Sequence, residues 1–176
     1  MAPFWYNCRK LAETFHAKDA APERSQEKEC VMECEFPSVN SNPEEIRAIF
    51  AETKTIAVLG LSPDPEKASH RVAAYLQAEG FKIVPVYPKE ETILGEKVYR
   101  SLAEIPFAVD MVDIFRKPNA LDAVADACIA RGDVKCFWAQ AGIVNNAAAQ
   151  KAKDAGMKVV QNHCTMVEHR TLCKGQ

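Results

Sequence analysis

The chain has 176 residues, 22 Lys+Arg against 24 Asp+Glu, and a formal charge of −2. That length suits one domain with a full core and leaves no room for a cofactor domain plus a substrate domain. The charge excludes an overall basic footprint for nucleic acid, and no apolar run approaches the ~20 residues of a membrane span.

The first 42 residues differ from the rest. "MAPFWYNCRKLAETFH" has an aromatic patch but no long apolar core and no small-residue cleavage site, so no secretory signal is read there. "AKDAAPERSQEKE" is charged and aperiodic, and "FPSVNSNP" is rich in turn formers. Residues 1–42 are therefore expected to be a partly disordered extension and linker, with the domain over 43–176. Residues 1–31 are expected to be dispensable.

From Pro43 the pattern becomes regular. "NPEEIRAIFAET" predicts a helix: Asn42 caps, Pro43 suits the first turn, and Glu44 and Glu45 complement the helix N-terminus. Five short apolar runs follow: "TIAVLG", "FKIVPVY", "VDMVDIF", "VKCFWA" and "MKVVQ". Their centres lie about 25 residues apart, the spacing of repeated strand–helix units. Helical patterns lie between them in "SHRVAAYLQAEG", "NALDAVADACIARG" and "NNAAAQKAKDAG", each stopping at a glycine. The connection "PKEETILGEKVYRSLAEIP" reads as loop with a short helix at "SLAEI". Strands apolar throughout are covered on both faces. The expected fold is α/β, a Rossmann-like doubly wound parallel sheet of about five strands in the order 3-2-1-4-5.

Such sheets bind ligands at the carboxyl ends of their strands, where the strand order reverses. In the expected order that point lies between the end of strand 1 (Gly60, Leu61, Ser62) and the end of strand 4 (Gln140, Gly142). Gly60 lets the backbone come close to a ligand, Ser62 offers a hydroxyl, and the helix beginning near Ser69 favours phosphate. At the end of strand 2, an NAD site needs an acidic residue for the ribose 2′-hydroxyl. This chain has Tyr87, Pro88 and Lys89 there. Lys89 favours an extra phosphate on the ribose, and Pro88 gives an apolar wall for adenine. The ligand class is a phosphorylated adenosine diphosphate, which leaves both coenzyme A and NADP open. Strand 3 adds Phe115 and Pro118 as walls and Arg116 as a phosphate partner. Arg71 is a further candidate for the phosphate.

The stretches "IAVLGLS", "ASHRVAAYL", "VPVYP", "LGEKVYRSLAEIP", "VDMVDIFRKP", "WAQAGI" and "HCTMVEH" fall in the order seen in single-domain CoA-binding proteins. The chain resembles this family over about residues 45–172. The family is similar to the N-terminal CoA-binding domain of the succinyl-CoA synthetase alpha subunit. The resemblance implies a protein that binds CoA or an acyl-CoA. By motif, Gly60, Ser62 and Ser69 meet the diphosphate, Pro88 and Lys89 lie by the adenosine, and Phe115, Arg116 and Pro118 line the groove. Gln140 and Gly142 flank pantetheine. The synthetase's phosphohistidine belongs to a second domain that has no counterpart here, so no catalytic residue is assigned.

Seven cysteines are present. Cys128 and Cys136 fall in apolar elements, where reduced cysteine acts as a small hydrophobe. Without a signal peptide the expected compartment is the cytoplasm, with reduced thiols. Cys164, with His163 and His169 near it in sequence, supports a second reading as a CoA-dependent transferase or thiol-redox enzyme. An NADP-binding protein is the third. No metal site is expected, because Cys30 and Cys34 lack a second pair.

Overall fold

The computed structural model describes residues 36–175. The expectations for residues 1–31 lie outside the described residues.

Each expected apolar run holds a strand of one parallel sheet: β1 (Thr55–Leu59), β2 (Lys82–Val86), β5 (Met111–Ile114), β6 (Cys136–Ala139) and β7 (Lys158–Val160). The connection after β2 carries a small hairpin, β3 (Thr92–Ile93) with β4 (Glu96–Lys97), and then a 3-10 turn over Leu102–Glu104. Five helices complete the domain: α1 (Pro43–Glu52), α2 (Ala68–Ala78), α3 (Leu121–Arg131), α4 (Asn146–Asp154) and α5 (Thr165–Cys173). The cap expected for α1 is a full capping box. Asn42 Oδ1 accepts from the Glu45 N–H, and Glu45 Oε2 accepts from the Asn42 N–H, each at 2.9 Å. No helix among the described residues is long and apolar enough to cross a membrane.

The strand order corrects the expectation. Along the sheet it is β2-β1-β5-β6-β7, which is 2-1-3-4-5 in chain count rather than 3-2-1-4-5. The cause lies in which face each connection covers. Val72, Ala73 and Leu76 of α2 pack with Ile56, Val58 and Ile83 on one face. Leu102, Ile105 and Val109 of the next connection pack with Ala57, Val84 and Val112 on the other. Parallel crossovers are right-handed, so changing face reverses the direction of travel along the sheet. The chain leaves β2, passes over β1 and pairs β5 with the free side of β1. Strand order therefore reverses between β1 and β5, not between β1 and β6.

The linker reading of residues 36–42 is also corrected in part. Val39 is buried in the core cluster that also holds Met157 and Val159. The Ser41 N–H donates to the Val159 carbonyl at 2.8 Å. The Gln161 N–H donates to Asn40 Oδ1 (2.7 Å), and Asn40 Nδ2 donates to the Gln161 carbonyl (3.1 Å). These bonds cover the outer edge of β7, which would otherwise present unpaired backbone groups. From Ser38 onward the stretch belongs to the folded domain.

Candidate functional site

Parallel strands deliver their following loops to one edge, and hydrogen bonds show the strand ends in line. The Gly60 N–H donates to the Val86 carbonyl (3.0 Å), the Phe115 N–H to that of Leu59 (2.9 Å), and the Gln140 N–H to that of Ile114 (3.3 Å). The ends of β2, β1, β5 and β6 thus stand side by side, with the β1–β5 reversal in the middle. Gly60, Lys89, Phe115, Arg116 and the Gln140–Gly142 turn all leave from this edge.

Gly60 has φ +85°, and a Cβ there would lie 2.6 Å from the Phe115 carbonyl oxygen and 3.5 Å from Arg116 Nε. Two findings follow. The close approach that demands glycine is to the chain itself, at the reversal point. The Arg116 guanidinium, on an exposed residue, lies over the turn that leads into α2.

The loop from Gly60 to α2 is held by the helix it precedes. The Ser62 N–H donates to Ser69 Oγ (3.1 Å), and His70 Nδ1 meets the Ser62 carbonyl at 2.9 Å. A carbonyl can only accept, so Nδ1 carries the proton. Ser62 Oγ accepts from the Asp64 N–H (3.1 Å), and Arg71 Nη1 donates to the Glu66 carbonyl (2.5 Å). Ser62 and Ser69 are therefore brought together, with Ser69 buried. Arg71 is turned onto its own loop. No side chain caps the first turn of α2.

At the end of β2, Pro88 and Lys89 are exposed. Sequence reasoning did not find what shapes this turn, the guanidinium of Arg100. Its Nη1 donates to the carbonyls of Tyr87 (3.1 Å) and Glu90 (2.7 Å), and also to that of Lys89. Nη1 carries two N–H groups, so at least one of them is shared between two of these carbonyls. An arginine 11 residues beyond Lys89, after a hairpin, carries no local sequence signal for this role.

Gln140 follows β6, and its side chain is buried rather than exposed at the carboxyl edge. Its Nε2 lies 2.8 and 3.0 Å from the two carboxylate oxygens of Asp113 and 2.7 Å from Thr165 Oγ1. Thr165 Oγ1 donates to Asp113 Oδ2 at 3.1 Å. All three side chains are buried. The one sequence signal for this cluster is the acidic residue inside the apolar run "VDMVDIF". Gly142 is exposed at φ +80°, with its N–H donating to Asn162 Oδ1 (2.7 Å). Asn145 Nδ2 donates to the Pro118 carbonyl (3.0 Å) and so ties the β5 and β6 loops.

Cys164 precedes α5 and is half-buried, but neither nearby histidine is paired with it. His163 Nδ1 meets Glu168 Oε1 at 2.7 Å. His169 Nδ1 meets the Tyr75 hydroxyl at 2.9 Å, and its ring lies against Phe50 and Phe81. Burial pushes the Cys128 thiol up to about 12 and raises Cys136 as well, in keeping with cysteines that serve as packing groups. Among the described residues, no group of three or more His, Cys, Asp or Glu is arranged to hold a metal ion.

Comparison with known proteins places the chain in a family. The family model for the CoA binding domain matches residues 54–170. The uncharacterized protein YneT of Bacillus subtilis is 39% identical over 130 residues, covering 74% of this chain and 96% of that protein. The solved structure of a hypothetical protein from Pyrococcus horikoshii superposes with a TM-score of 0.74 at 38% identity, over 81% of this chain and 99% of that one. The alpha subunit of an ADP-forming acetate–CoA ligase from Pyrococcus furiosus is 41% identical over 66 residues, which are 37% of this chain and 14% of that subunit.

Proposed function

This chain belongs to the CoA-binding domain family, and on that premise we propose that it binds coenzyme A or an acyl-CoA at the carboxyl edge of its sheet. It acts as a binding module that carries, senses or presents the cofactor. The observation that carries this reading is the Arg116 guanidinium beside the Gly60 turn, whose loop is tied to the first turn of α2 by the Ser62–Ser69 hydrogen bond. A cation and an uncapped helix N-terminus then flank one spot, which suits a diphosphate. Asp64 and Glu66 balance Lys67 and Arg71 within that loop. The attraction must therefore come from Arg116, from Lys89 and from the helix itself.

In this reading the diphosphate rests between the Gly60–Ser62 turn and Arg116. Pro88 and Lys89 meet the adenosine and its 3′-phosphate, and Arg100 fixes their turn. Phe115 and Pro118 wall the pantetheine arm, and Gly142 lets it pass close to the β6 loop. Gln140 serves through its backbone and through Asp113, not through a side-chain contact with ligand.

Titration of the protein with CoA, dephospho-CoA, NADP and NAD tests the proposal. CoA at a hundred times its dissociation constant should add about 2.7 kcal/mol of stability. Equal shifts with CoA and NAD, or none with either, would overturn it. A shift with NADP alone would move the assignment to the 2′-phosphate dinucleotide.

A further inference from the structure

One buried ionisable group at the carboxyl edge has no part in the groove itself. Asp113 lies on β5, two residues before Phe115, between Val58 of β1 and Trp138 of β6. It is fully buried, and its side-chain partners, Gln140 and Thr165, are both neutral.

The titratable groups on this face of the sheet are committed elsewhere. From β6 comes Cys136, a buried thiol whose pKa Asp113 helps to raise. From α2 come His70, bonded to the Ser62 carbonyl, and Tyr75, bonded to His169. At α5, His163 holds Glu168, Arg170 stacks on the Tyr75 ring, and Lys174 pairs with Glu79. Cys164 stands half-buried at the start of that helix. α1 presents Ile46, Ile49 and Phe50, while its Arg47 bonds the Leu172 carbonyl. A carboxyl buried among neutral partners resists ionisation, and the Asp113 pKa is raised by this burial to about 7.

Resting on the CoA reading, we propose that binding of this polyanionic ligand at the carboxyl edge is coupled to protonation of Asp113, so that this carboxyl regulates the affinity of the site. β5 leads into Phe115 and Arg116 at the carboxyl edge, and Gln140, bonded to Asp113, heads the neighbouring loop after β6. The phosphates bring several negative charges to the edge beneath which Asp113 sits. Like charge disfavours the carboxylate, and a buried charge is screened little by salt. Linkage is reciprocal, so the protonated protein binds the anion more tightly. The proton comes from solvent and forms an O–H bond at Oδ2. The 3.1 Å contact then reverses: Oδ2 donates to Thr165 Oγ1, which also accepts from Gln140 Nε2 and must turn its own O–H away from Asp113, while Gln140 Nε2 continues to donate to Oδ1.

The test is calorimetric titration of the full chain with CoA at pH 7, in buffers of different ionisation enthalpy. The expected result is uptake of a sizeable fraction of a proton, with affinity falling up to about tenfold from pH 6 to 8.5 for a one-unit pKa difference. Asp113→Asn keeps the shape of the group but cannot take the proton. Its uptake should drop by that fraction, while ionisation of the ligand's own phosphates contributes equally to both proteins. If the variant does not fold, the side-chain carboxyl carbon of Asp113, followed by NMR in the wild-type chain, should titrate at higher pH with CoA bound than without. Equal proton uptake in both proteins, or an unmoved Asp113 titration, overturns this inference alone. No binding heat at any pH overturns the CoA reading and this inference with it.

Discussion

A Cβ on Gly60 would lie 2.6 Å from the carbonyl oxygen of Phe115, so the β1 turn and the end of β5 fit together only without a side chain at position 60. Gly60→Ala should be costly on two counts. A positive φ costs an L-residue about 1–2 kcal/mol. Forcing a methyl against fixed backbone adds about 1–3 kcal/mol. Gly142, at φ +80° with nothing within 4 Å of its Cβ position, isolates the first count. Urea unfolding should therefore rank Gly60→Ala well below Gly142→Ala, with the latter losing only about 1–2 kcal/mol. Equal losses would mean that the β1–β5 junction yields to the methyl.

The strands and four of the helices were legible in the chain because each carries its own periodicity and stop signals. Their order was not, because periodicity reports how an element is buried and not which neighbour it pairs with. The deciding residues, Leu102, Ile105 and Val109, sit in a connection with no regular period, yet they place it on the face opposite α2. α5 escaped notice because its buried positions include Thr165 and His169, which do not read as a core face. The positions of Gly60, Lys89 and Arg116 after the carboxyl ends of strands were legible from the apolar runs they follow. The inward turn of Gln140 and the clasp of Arg100 were not, since both depend on partners brought in by the fold.

The N-terminal boundary can be tested by two truncations. Removing residues 1–31 should leave melting temperature and ligand affinity unchanged, because a charged, aperiodic composition cannot bury a core. Removing residues 1–42 should destabilise the domain. It exposes the edge of β7, strips the Asn42 cap and deletes the buried Val39. Burial of one valine and loss of one cap are each worth about 1–2 kcal/mol. A loss of at least about 2 kcal/mol is therefore expected for the longer deletion alone. Equal melting temperatures for the two forms would return residues 32–42 to the role of linker.

His169 predicts a pH effect of definite sign. Burial against Phe50, Phe81 and Tyr75 lowers its pKa below the ordinary histidine value. The unfolded chain therefore binds a proton near pH 6.5 that the folded chain refuses, and stability falls as pH drops below that value. Asp113 acts in the opposite sense. Its raised pKa lets the folded chain hold a proton that the unfolded chain has lost, so stability falls as pH rises from about 4 through 7. The wild-type profile mixes the two, and a variant separates them. Between pH 7 and 5 the Asp113 contribution is common to both proteins, so on acidification the stability of His169→Gln should rise relative to that of the wild type in urea unfolding. Parallel profiles would show that His169 titrates alike in the folded and unfolded chains.

Lys89 tests which phosphate the site reads. Its side chain is exposed, while its carbonyl is one of three held by Arg100. Lys89→Ala therefore removes the charge and leaves the clasped backbone turn in place. A charge-assisted hydrogen bond to the CoA 3′-phosphate is worth about 1.5–3 kcal/mol before solvent screening. At this exposed position salt reduces that value, and about a tenfold loss of CoA affinity is expected. Dephospho-CoA lacks the 3′-phosphate, so its affinity should hardly change. Arg116→Met should weaken both ligands alike, because the proposed binding mode sets the guanidinium beside the Gly60 turn against the diphosphate that both ligands share. Raising the salt concentration should narrow the difference between wild type and Lys89→Ala for CoA. If Lys89→Ala weakens both ligands equally, or neither, Lys89 is a solvated turn residue, and the 3′-phosphate must be met by another cation.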